Sequence, residues 1–229
     1  MWACFYTAAF VIVPTLSLWA THQAIHGSVF FNWTYMLLTL FLNINTMIAV
    51  WEIALYVYNK HINATFTALS KRQEKDTCPP VFMFEHVSLA DAFSLKYWSN
   101  VWILYSFFDK SYSDHTSHGF WVDSGNGFST LVPGIAFTLG MTFDLMSPRQ
   151  LGLLGMLQFY QEFYGTIIYF CTFFYNERVK DHGWRGSRKR NVYALVWISN
   201  GIWCAGPALG MYVSYQLVMH DRAGLSLIR

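Results

Sequence analysis

The chain has 229 residues, of which 54% are hydrophobic, 19% aromatic and only 12% charged. A soluble domain carries about a quarter charged residues, so an ordinary water-facing surface is excluded for much of this chain. The length fits a single domain over 1–229, and a net charge of +2 without a basic block among aromatics argues against nucleic acid as a partner.

In chain order, five segments approach the about 20 mostly apolar residues that a spanning helix needs. They are 2–20, 32–58, 128–146, 151–174 and 191–219. The first lacks a basic leading region and reads as a retained helix rather than a cleaved signal. A long polar loop, 59–127, separates the second and third. It holds turn-rich "SKRQEKDTCPP" and then "AFSLKYWSNVWILYSFF", which is short, carries Lys96 and reads as an interfacial or re-entrant helix. The predicted class is therefore all-α, an integral membrane five-helix bundle with an intramembrane cavity.

The cations agree with this count. With the N-terminus on one side, that side receives twelve of the 15 Lys and Arg residues and the other only Arg149, Arg222 and Arg229. The richer side is expected to be cytoplasmic. The four cysteines, Cys4, Cys78, Cys171 and Cys204, are scattered without metal-ligand spacing. No metal or cofactor is expected. His22 and His26, one turn apart just past the first span, read as interfacial, and His115 and His118 as solvated loop residues.

Polar groups inside a bilayer are costly and face a bundle interior or a cavity. In the fourth segment Gln158, Glu162, Gly165 and Tyr169 form one stripe. Asn45, Glu52 and Tyr56 share a face of the second, and Asn200 and Trp203 lie one turn apart in the fifth. Asp123 precedes the third. A carboxylic acid in an apolar pocket holds its proton more tightly and can protonate an alkene. An indole face stabilises the resulting cation, and a second carboxylate removes a neighbouring proton. The expected outcome is migration of a double bond without a cofactor. A bland alternative is hydrogen bonding between helices.

Four blocks in order carry a family resemblance: "WEIALYVY", "WILYSFFDKSY", "QEFYGTIIYF" and "NGIWCAGP". The chain resembles the EXPERA domain of emopamil-binding sterol Δ8–Δ7 isomerases and sigma-type receptors, with a core over about 33–219. The resemblance implies a five-helix membrane protein of the endoplasmic reticulum with a cavity for flat polycyclic lipids. It puts Glu52, Asp123, Asn200 and Trp203 in catalytic roles, with Asn126 a rival for the place of Asp123, and Glu162, an extra acid in the fourth-segment stripe, is expected to join them as a third proton group. Asn45, Tyr56, Tyr105, Asp109, Asn126, Gln158, Tyr164 and Tyr169 are expected to bind substrate. Ile48 stands where the isomerases carry a histidine, and Glu162 where the family has glutamine. The expected function is a membrane isomerase, or cyclase-like relative, acting on an apolar sterol- or terpenoid-like substrate. A non-catalytic lipid binder of the same fold is the alternative. Expected partners are this small molecule and membrane lipid, with homodimerisation left open.

Overall fold

The computed structural model describes residues 1–27, 31–72, 82–115, 118–175 and 187–229, with backbone alone over 187–195. Among these residues every regular element is helical. The order is α1 (Ala3–His26), α2 (Trp33–Val57), α3 (Asn59–Arg72), α4 (Leu89–Ala92), α5 (Leu95–Trp98), α6 (Asn100–Tyr105), α7 (His118–Phe143), α8 (Pro148–Tyr175) and α9 (Ser187–His220), with 3-10 turns between and after them. The five long helices have 24, 25, 26, 28 and 34 residues. At about 1.5 Å per residue each reaches across a layer about 30 Å thick. Among the described residues, α1 and α2 are both long and apolar enough to cross a membrane.

Three expectations from sequence are corrected. The loop after α2 starts as a helix: α3 follows at once because Ile62 and Phe66, one turn apart, give it a buried face. The stretch 92–108 is not one helix: α4 ends at Ala92, and α5 and α6 follow, separated at Ser94 and Ser99. The Ser94 hydroxyl accepts from Tyr97 N at 3.3 Å, a local bond that competes with helix continuation. Finally α7 begins ten residues before 128, so Asp123 and Asn126 lie within a helix. The turn-rich stretch at 73–81 and much of the basic loop, 176–186, fall outside the described residues.

The chain forms two compact units. The first comprises Met1–Thr7, Ala49–Phe128 and Ile168–Ser199. Aromatic rings fill it. Trp51 stacks on Trp98 with centroids 5.4 Å apart, and Trp102 stacks on Tyr112 at 5.0 Å. The Trp102 indole also donates to the Trp51 carbonyl at 2.6 Å, so this bulky residue meets its polar need inside the core.

The second unit comprises Ala8–Ile48, Ser129–Ile167 and Asn200–Arg229. Its core holds Leu38, Phe41, Leu42, Phe137, Phe159, Val213 and Leu217. Glycines let the backbones approach. A Cβ at Gly155 would fall on the Phe137 ring and the Ser214 hydroxyl, and one at Gly210 on the Phe159 ring.

Within this unit α8 is turned inside out. Leu153, Leu157, Tyr160, Tyr164 and Ile167 are exposed, Leu157 at 75%, along one stripe spaced four, three, four and three. Leu151, Gly155, Gln158, Glu162 and Thr166 are buried on the opposite stripe. A helix on a water-soluble domain buries its apolar side and exposes its polar one. Here the polar groups are enclosed and the hydrocarbon faces out.

The packing makes a paired prediction. Gly155→Ala overpacks the contact and should destabilise the protein by about 1–3 kcal/mol. Gly201→Ala, which meets nothing within 4 Å, should leave it unchanged or slightly improved. Thermal unfolding of the two variants in the same detergent checks this; equal midpoints would refute the packing.

Candidate functional site

The site is built from three helices of the second unit. Asn45 lies on the buried face of α2 that Leu38 and Leu42 define, at spacings of four and three. Gln158 and Glu162 sit one turn apart on the enclosed stripe of α8. Trp203 comes from α9, partly buried against the core.

These four side chains form one network. The Trp203 indole donates to Asn45 Oδ1 at 3.2 Å. An indole N–H can only donate, so this bond sets which way the amide points. Asn45 Nδ2 then donates to Glu162 Oε1 at 2.7 Å. Gln158 Nε2 donates to the same oxygen at 3.2 Å. Asn45, Gln158 and Glu162 are 3%, 4% and 1% exposed, so water does not satisfy them.

The two carboxyl oxygens of Glu162 are thereby made different. Oε1 accepts two N–H donors. Oε2 is buried and has no hydrogen-bond partner among the described residues, and neither has Gln158 Oε1. A proton on this carboxyl has its place on Oε2. The arrangement is an acid gripped by one oxygen and open at the other.

Two helix irregularities accommodate it. Gly134 in α7 leaves room for the Gln158 amide, since a Cβ there would lie 2.9 Å from Nε2. Pro207 lacks the N–H that would reach the Trp203 carbonyl one turn back, which leaves that carbonyl without its helical donor.

The first unit holds a separate polar cluster. Asp109 is fully buried. Its Oδ1 accepts from Ser111 N at 2.9 Å, which caps the 3-10 turn Lys110–Tyr112. Its Oδ2 accepts from the Tyr169 hydroxyl at 3.3 Å. Tyr112 hydrogen-bonds to Asp123. Burial, reinforced by Asp123, Tyr169, Tyr105 and Asp109, holds the Tyr112 phenol well above its usual value, so it stays a donor. Glu52, 4% exposed, lies where α2 passes closest to α7. A Cβ at Gly127 would sit 2.8 Å from the Glu52 Cβ.

Of the residues expected from sequence, Asn45, Gln158, Glu162 and Trp203 meet in one network of the second unit. Tyr105, Asp109, Asp123 and Tyr169 belong to the first unit, as does Glu52. Asn126 and Asn200 are half-buried. Tyr56 and Tyr164 depart from the inward placement expected of them. They are 49% and 54% exposed, because the face of each helix that carries them turns outward at that level. His22 also departs from expectation. It is fully buried in the last turns of α1 and stacks on Tyr35 at 3.7 Å, while His26 hydrogen-bonds to the Thr142 carbonyl at 3.2 Å. Sequence reasoning overlooked Gly134, whose signal is the Pro-Gly pair inside an apolar span, and Tyr112 as the partner of Asp123.

No protein-family model, curated protein or solved structure matches the chain.

The network makes its members interdependent. Asn45→Ala leaves two buried partners unmatched and should destabilise by about 1–3 kcal/mol. In a double-mutant cycle with Trp203→Phe the two effects should miss additivity by at least about 0.5 kcal/mol. Simple addition in chemical denaturation would show that the two side chains do not interact.

Proposed function

We propose that the chain is an integral membrane isomerase that moves a double bond, or closes a ring through a carbocation, in a sterol- or terpenoid-like substrate. The proposal includes a five-helix arrangement with an intramembrane cavity, residence in the endoplasmic reticulum and a cytoplasmic N-terminus. The resemblance to EXPERA isomerases and the distribution of Lys and Arg support it. The observation that carries it is Glu162, an enclosed carboxyl whose Oε1 is held by Asn45 and Gln158 while Oε2 has no hydrogen-bond partner among the described residues.

In this reading the Oε2 proton adds to one alkene carbon. The π electrons form the new C–H bond and the other carbon becomes cationic. Trp203, held through its indole N–H by Asn45, stabilises the cation through its ring; such contacts reach about 2 kcal/mol when desolvated. A C–H bond on a neighbouring carbon then breaks. Its electrons become the new double bond and its proton passes to a carboxylate. Asn200 is proposed to orient the substrate. Glu52 and Asp123 are proposed as further acid–base groups on the strength of the resemblance alone.

The test is turnover of sterol and terpenoid olefins by microsomes carrying the protein in deuterated water. Deuterium should enter the product. Glu162→Gln keeps an oxygen to accept from Asn45 and Gln158 but removes the proton, so labelling should fall at least about a hundredfold while binding is retained. Ligand binding without labelling in the unaltered protein would instead favour a non-catalytic lipid binder of the same architecture. Undiminished labelling by Glu162→Gln would remove Glu162 from the reaction.

A further inference from the structure

A recess of about 570 Å³ opens in the first unit where α2 passes into α3, within the range of small-molecule sites. Tyr56, Phe120 and Trp121 supply one side. Their rings pack together: Tyr56 lies 6.5 Å from Phe120 and 6.4 Å from Trp121, and Phe120 meets Trp121 edge-on at 5.1 Å. Lys60, His61 and His115 line it as well, and among the described residues no carboxylate does. The Trp121 indole donates to the His115 carbonyl at 3.0 Å.

Asn59, also in the lining, adds an independent observation. Its Nδ2 is enclosed and has no hydrogen-bond partner among the described residues. A buried N–H without an acceptor is unfavourable, and here it adjoins an exposed ammonium and two imidazoles. What completes such a surface is an anionic oxygen. The adjoining aromatic rings are of the kind that gathers at the boundary between lipid and water.

We propose that this recess binds the phosphate headgroup of an anionic phospholipid, with Lys60 and Asn59 on the phosphate and Tyr56, Phe120 and Trp121 against the glycerol and upper acyl chain. The proposal rests on the reading of the chain as a membrane protein but not on isomerase activity. It agrees with Lys60 lying on the side that receives twelve of the 15 cations, where anionic lipids are concentrated.

The experiment uses the full chain purified from vesicles of equimolar dioleoyl-phosphatidylglycerol and dioleoyl-phosphatidylcholine, with the retained lipid identified by native mass spectrometry. Phosphatidylglycerol should be retained at least about fivefold over phosphatidylcholine. Lys60→Glu, at an exposed position, should abolish the preference, and Lys60→Arg should keep it. Inorganic phosphate should not displace the lipid. Equal retention of both lipids, an unaltered preference in Lys60→Glu, or displacement by inorganic phosphate would each overturn the site. Retention of neither lipid would overturn it together with the membrane reading.

Discussion

A carboxyl enclosed among apolar side chains has to find its hydrogen-bond partners on neighbouring helices, because its surroundings offer none. That constraint shapes the second unit. Glu162 is enclosed, and Asn45 and Gln158 both give their N–H groups to its Oε1. Trp203 in turn satisfies Asn45. None of these four could be moved alone without stranding a buried polar atom. The apolar side of α8 faces outward, while its polar side is enclosed and bonded to Asn45.

The same constraint accounts for small residues at the close approaches. Gly134 admits the Gln158 amide, and Gly155 and Gly210 let neighbouring backbones come close enough for side chains on three helices to meet. Pro207, one turn past Trp203, withholds a helical N–H from the Trp203 carbonyl. The first unit solves its own version of the problem with different means. Asp109 is enclosed but fully used: it caps a 3-10 turn and accepts from Tyr169. Glu162 differs in keeping one oxygen without a hydrogen-bond partner among the described residues.

Much of this was legible in the sequence. The long helices were visible because 18 or more mostly apolar residues leave few other solutions. The stripe Gln158–Glu162 was visible because polar residues at helical spacing in an apolar segment have to share an inner side. The partnership of Asn45 with Trp203 was not, since it joins positions 158 residues apart and depends on how helices meet. The start of α7 was missed because His118, Asp123 and Asn126 read as loop, yet a helix extends beyond its apolar part whenever its polar turns can reach partners, as Asp123 does with Tyr112. Tyr56 and Tyr164 were misplaced for a related reason. Spacing tells which residues share a side, not how far along the helix that side stays covered.

α8 keeps its polar stripe enclosed, and the proposed membrane residence requires its exposed apolar stripe to meet lipid. Spin labels on single cysteines from 153 to 167, in the protein reconstituted into vesicles, test it most directly. Accessibility to oxygen, which dissolves in lipid, should rise and fall with the helical period. It should peak at 153, 157, 160, 164 and 167 and be lowest at 155, 158, 162 and 166, with a water-soluble nickel complex excluded from the peaks. Free access of that complex to 157 and 164 would show this side to be wet, and the account would fail.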